Sequence, residues 1–152
     1  MSELMHDEKY SELIKTLELR DIVTKKAFFE RNVPSSEFAK VKTLSLNLER
    51  GEIDPIFLKE QVIVPVAYRV IGKTKQSDAD NHFDVFHYEI ILEVVFSCSD
   101  MDHLKELLAV GSVSEMFFGY QMDKFVWPYL RCSFANACSS LGKRSFVLPM
   151  LA

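Results

Sequence analysis

KFVWPYLRCSFANACSSLGKRSFVLPM, residues 124–150, decides how the rest of the chain is read. Val126, Leu130, Phe134, Ala137 and Leu141 recur at i, i+4, i+8, i+11 and i+15. That is the period of a long helix with one face to bury. Met122, Tyr129, Ser133 and Cys138 widen the face. Proline has no N–H and is tolerated in a first helical turn, so Pro128 predicts that helical bonding begins nearby. Gly142 is the expected stop, and Lys143 and Arg144 suit the negative end of the dipole. A short extended tail follows. So broad an apolar face needs a sheet, and the residues before it supply one for this helix or its copy in a partner chain.

Residues 1–16 are polar and charged, yet Leu4, Tyr10, Leu13, Ile14 and Leu17 allow a short amphipathic helix that Ser2 or Asp7 would cap. The alternative is a frayed terminus. Residues 17–30 read as a first strand whose phase slips near Asp21, which predicts a bulge or bend. Residues 31–40 form a loop punctuated by Pro34. In 41–49, Leu44, Leu46 and Leu48 alternate with Ser45 and Asn47, the pattern of a half-buried antiparallel strand. Gly51 and Pro55 then break the chain and leave Ile56, Phe57 and Leu58 exposed.

Residues 61–74 are a third strand, with Pro65 predicting an edge or a bulge. A polar hairpin loop (75–82) leads into the fourth and longest strand, 83–98. There Phe86, Tyr88, Ile90, Leu92, Val94 and Phe96 face one way, and His87, Glu89, Ile91, Glu93 and Val95 the other. One face is therefore expected to be buried and the other to meet water or a partner. Residues 99–112 predict a short helix, capped by Ser99 or Asp100, with Leu104, Leu107 and Leu108 as its apolar face. An apolar connector, 113–122, precedes the long helix. Strands first and helices afterwards argue for an α+β fold, a four-stranded antiparallel sheet followed by a long C-terminal helix, in one domain spanning 1–152.

Composition narrows the function classes. Apolar residues make up 48% of the chain, with twelve Phe against five Gly and five Pro, so it is expected to fold. A net charge of −4 without a basic block gives no reason to expect nucleic acid as a partner. No apolar run approaches the ~18 residues of a membrane span, and the polar N-terminus predicts no signal peptide. The expectation is a cytoplasmic chain without membrane insertion. Cys98, Cys132 and Cys138, odd in number and without a C-x-x-C pair, read as buried small hydrophobes, not as a disulfide or zinc framework.

No nucleophile motif, phosphate loop or metal-ligand spacing occurs, so no catalytic residue, metal or cofactor is expected. His87, Glu89 and Glu93 could form a general-base cluster, for instance in a hot-dog-like thioesterase, or simply line a solvated strand face. Cys138 would be a nucleophile only beside a base. The informative feature is a surplus of apolar groups outside regular elements: Phe38, Ile56, Phe57, Leu58, Phe117, Phe118, Val147, Leu148 and Met150. They are either satellite core or the lining of an interface or groove.

Laid out in order, these segments resemble the SecB family of bacterial export chaperones. IVTKKAFFE (22–30) is similar to that family's opening strand, and LSLNL (44–48) to its second. YRVIGKT (68–74) and EIILEVVFS (89–97) resemble the long third and fourth strands. WPYLRCSFANACSSLG (127–142) resembles the Phe-Pro-Tyr-x-Arg start of the family's main helix, and FVLPM (146–150) its Leu-x-Leu-x-Pro close. The resemblance covers roughly 17–150, and WPYLR is its most specific piece.

The resemblance implies a homotetramer, a dimer of dimers with its main helices, here Trp127, Tyr129, Leu130 and Phe134, between two sheets. It implies an ATP-independent holdase that keeps unfolded preproteins in apolar grooves before export. By position the groove candidates are Phe38, Leu44, Leu46, Phe57, Leu58, Val147 and Leu148, with glutamates alongside that would favour basic clients. It adds the SecA ATPase as a partner, docked on acidic positions matched here by Glu30 and Glu89. Lys26 stands where the family has Asp, and the sequence ends at Ala152, short of the family's C-terminal helix and tail. Both departures fit a SecB-like relative better, such as the solitary chaperones that serve an antitoxin of a toxin–antitoxin system.

Overall fold

The computed structural model describes residues 2–34, 45–75 and 82–140. Helix α1 (Ser2–Thr16) runs directly into strand β1 (Leu17–Arg31). Strands β2 (Ser45–Arg50), β3 (Ile56–Phe57), β4 (Gln61–Lys75) and β5 (His82–Cys98) follow. Helices α2 (Met101–Leu108) and α3 (Gly111–Met116), a π-helical turn (Phe117–Gln121) and α4 (Met122–Ser140) complete the chain. The sheet order is β1-β5-β4-β2, with β3 also paired to β4. β2 and β3 both run antiparallel to β4. The expected four-stranded antiparallel sheet and long helix are present, and β3 is an addition that two residues were too few to announce.

The period-two pattern of β5 places Phe86, Tyr88, Ile90, Leu92, Val94 and Phe96 in the core, and half-buries His87, Glu89, Ile91, Glu93 and Val95 on the other face. β4 does the same with Val62, Val64, Val66, Tyr68 and Val70. The pairing registers explain how an inner strand carries Pro65. β3 pairs residues 62 and 63 of β4 and β2 pairs 68 to 73, so Pro65 falls in the interval that neither covers. β1, expected to bend near Asp21, is one continuous edge strand that is mostly exposed.

The chain clusters into two compact units, Met1–Val23 with Ile53–Val66 and Leu92–Val126, and Thr24–Glu52 with Ala67–Ile91 and Trp127–Ala152. In the first, α1 packs on α2 and α3 and buries Leu13. Tyr10 Oη donates to Gln121 Oε1 at 2.9 Å, and burial, partly offset by Lys124, raises the Tyr10 pKa. Asp100 caps α2 by accepting the His103 backbone N–H at 3.1 Å.

In the second unit, α4 lies on aromatic rings of the sheet. Phe134 sits 5.6 Å from Phe86 and 5.4 Å from Tyr88, ring centre to ring centre, and Phe29 stacks on Phe86 at 5.1 Å. The Tyr88 and Ser133 hydroxyls hydrogen-bond at 2.6 Å. Phe86 lies so flat on Gly72 that a Cβ there would come within 2.7 Å of its ring.

Pro128 does not start a helix; it lies inside α4. Helical bonding begins earlier because residues 113–122, expected to be a connector, continue the apolar period. Val113, Phe117, Met122, Val126, Leu130, Phe134 and Cys138 are all buried. The spacing is four residues throughout, except for five between Phe117 and Met122, where the π turn takes up the extra one. The expected stop at Gly142 and the FVLPM tail lie outside the described residues.

Candidate functional site

Two apolar platforms stand open, one in each unit. In the second unit, β2 ends the sheet and, among the described residues, has no strand on its outer side. Leu46 lies opposite Gly72 and Leu48 opposite Val70, so both leucines share the sheet face that α4 covers. They are 38% and 39% exposed, at the rim of that core instead of in it. The half-buried strand expected at 41–49 is therefore more open than its alternation suggests, because it forms an edge. A free backbone edge with apolar side chains at i and i+2 is the surface an extended polypeptide can join.

In the first unit, Ile56 and Leu58 are 46% and 47% exposed on either side of a half-buried Phe57. Pairing of Ile56 with Ile63 and Phe57 with Val62 fixes them, and the Leu58 N–H donates to the Gln61 carbonyl at 2.8 Å to close the turn. Phe57, opposite the buried Val62, lies on the other sheet face from Ile56, and Lys105 Nζ of α2 sits 5.4 Å from its ring centre.

Of the expected groove residues, Leu46, Phe57 and Leu58 thus present apolar surface, whereas Phe38, Leu44, Val147 and Leu148 lie outside the described residues. Ile56, already among the surplus apolar groups, and Leu48, which continues the alternation of Leu46 but was not among the groove candidates, present such surface too. Further apolar surface lies on β1 at Leu19, Val23 and Phe28. On α4, Leu130 and Phe134 are fully buried, Trp127 meets Tyr68 edge-on at 6.4 Å, and Tyr129 is 49% exposed.

The opposite sheet face of the second unit is ion-paired. Arg69 Nε donates to Glu89 Oε1 at 3.1 Å, His87 Nε2 lies 3.1 Å from the same oxygen, and Arg69 also reaches Glu49 at 3.7 Å. Glu49, Arg69 and Glu89 border a cleft of about 300 Å³ that Ala67 and Ile91 also line. Glu30 and Lys26 are both exposed on β1. Burial alone would raise the Glu89 pKa, but the Arg69 hydrogen bond and the His87 and Arg69 charges outweigh it and hold the carboxyl below 4.5. A carboxylate so satisfied is a poor general base. Because the folded pKa is depressed, its stabilisation is present above 4.5 and lost as pH falls through the lowered value. Glu89→Gln should therefore be less stable than wild type at neutral pH, with the gap narrowing well below pH 4.5 in urea titrations.

Among the cysteines, Cys98 and Cys138 are buried as expected, but Cys132 is exposed on α4. Burial pushes the Cys138 thiol up to about 12, so it is no nucleophile at neutral pH. A thiol reagent added to the native protein should label Cys132 and leave Cys138 unmodified until the chain unfolds, as peptide mass mapping would show.

No protein-family model and no curated protein matches this sequence. Among solved structures, the fold is similar to that of the Mycobacterium tuberculosis SecB-like chaperone Rv1957, solved in complex with a ChAD peptide from the HigA1 antitoxin Rv1956. The TM-score is 0.71 at 14% identity, over 95% of this chain and 97% of that one. The chain has a SecB-like fold. None of its described helices is long and apolar enough to cross a membrane.

Proposed function

We propose that this chain is an ATP-independent chaperone that holds unfolded or precursor polypeptides in the cytoplasm, and that it is not an enzyme. The observation that carries this reading is apolar surface left exposed on a SecB-like fold: Leu46 and Leu48 on a strand that, among the described residues, ends the sheet, and Ile56 and Leu58 beside Phe57. An extended client lays apolar side chains there and pairs its backbone with the edge. Each contact is weak, because ordering a disordered chain costs entropy. A homotetramer, a dimer of dimers, would raise the effective concentration of sites and give long clients avidity of roughly 10²-fold or more. The β1 edge, unpaired on its outer side among the described residues, and the exposed Tyr129 support assembly with further copies, which native mass measurement would test. Excess protein should suppress aggregation of an unfolded model client; unchanged aggregation would contradict the holdase reading.

Whether the clients are preproteins bound for export or one dedicated partner divides two versions of this reading. The antitoxin peptide held by the structural neighbour favours a dedicated client of that kind. Pull-down distinguishes them, since one dominant protein supports the dedicated version and a broad spread of unfolded chains supports the general one. Docking of SecA through Glu30 and Glu89 is the less favoured partner. Glu89 is already engaged by Arg69, and Lys26 is exposed on the same strand as Glu30.

A further inference from the structure

The sheet of the first unit has a second face, turned away from the helix side, where Phe96 meets Phe117 and Phe125. The Cys98 N–H donates to the Glu60 carbonyl at 2.9 Å, so residue 60 lies opposite 98, Ile63 opposite Val95 and Pro65 opposite Glu93. Ile56 pairs with Ile63 from the other side. Ile56, Ile63 and Val95 therefore form an apolar row across three strands, exposed at Ile56 and half-buried at the other two. Charge is divided along the strand direction. At one end lie Glu93, half-buried beside Pro65, and the exposed Asp54, two residues before Ile56. At the other end, past Leu58, lies the exposed Lys59. Among the described residues, none of these three side chains makes a hydrogen bond or an ion pair. The other charges at the Lys59 end cancel: Lys15, Glu18, Arg20 and Glu60 line one cleft, with Arg20 held by Glu18 at 3.2 Å.

We infer that this face docks a second copy of the chain, face to face about a two-fold axis along the row of Ile56, Ile63 and Val95. A two-fold contact needs a self-complementary surface. Turning the patch about that row lays the apolar row on its own copy and the acidic end on the basic end. It brings Asp54 of each copy to Lys59 of the other. Strands stay aligned across the contact, as stacked sheets favour. Three short strands cover roughly 300–500 Å² per copy, against about 800 Å² in a standard interface. The contact is therefore weak alone and adds to others in an assembly. It does not depend on the client reading; where a client lies on Ile56 or Leu58, client and copy exclude each other.

Sedimentation equilibrium of the full chain, in low salt and up to high protein concentration, tests this with Asp54→Lys, Lys59→Asp and the two combined. Both side chains are exposed and without partners among the described residues, so the fold should hold, which circular dichroism checks. Wild type should self-associate. Each single reversal turns two attractions into two repulsions and should weaken association roughly fivefold to tenfold. The combined variant restores both pairs and should return to within about twofold of wild type. At 1 M salt the differences should close, because exposed charges are then screened within about 3 Å. A wild type that does not self-associate, single variants that associate as wild type does, or a combined variant no better than the singles overturns the inference and leaves the client reading standing.

Discussion

Phe134→Ala should destabilise the chain by about 3–5 kcal/mol, the range for removing a large aromatic from a packed core. Phe134 is fully buried, and its ring meets Phe86 at 5.6 Å, Tyr88 at 5.4 Å and Phe29 at 6.4 Å. Those neighbours cannot collapse into the space. Phe86 is held between Phe29 on one side and Gly72 on the other, and Tyr88 is tied to Ser133. Against a domain stability of roughly 5–15 kcal/mol, the loss approaches unfolding. Tyr129→Ala on the exposed side of the same helix should stay within about 0.5 kcal/mol in a dissociated chain. Urea titration of the two variants reads the contrast, and comparable losses would contradict this packing of α4.

Leu46→Asp combined with Leu48→Asp should remove client binding at a smaller cost in stability, leaving the chain folded. More than a third of each side chain is in water and the larger part is buried, so the double variant should lose roughly 2–4 kcal/mol of stability. Covering the exposed part under a client would contribute about 1 kcal/mol per leucine. Losing both, with two carboxylates placed under an apolar segment, should weaken binding roughly tenfold or more. The expected readout is a cooperative urea transition at a lowered midpoint, a chain still folded without urea, and a client that aggregates as fast as it does alone. Full protection by this variant would show that β2 is not where clients lie.

The sequence displayed the sheet more plainly than the helices around it. In β5 buried and half-buried side chains alternate from Phe86 to Cys98, so period two is unmistakable. Asp100 likewise stood at the right spacing to cap α2. The single five-residue step between Phe117 and Met122 hid the continuity of α3, the π turn and α4, because a strict helical period breaks there. Pro128 then looked like a beginning. β3 was invisible because two residues carry no period; it exists through its register with β4.

Part of the site was also legible. Leu46, Phe57 and Leu58 stood out as apolar groups without an evident core. Their exposure depended on β2 being an edge, which alternation cannot reveal. The Arg69–Glu89 pair was beyond reach, since it depends on the pairing of β4 with β5, and Lys105 over Phe57 depends on where α2 comes to rest.

The central claim is that Leu46, Leu48, Ile56 and Leu58 remain open in order to receive another chain. Methyl NMR of the labelled protein, titrated with a permanently unfolded client, measures this directly. The account predicts that the Leu46, Leu48, Ile56 and Leu58 methyls shift on binding while the buried Leu130 stays still. Client binding that leaves those four signals unmoved would contradict it.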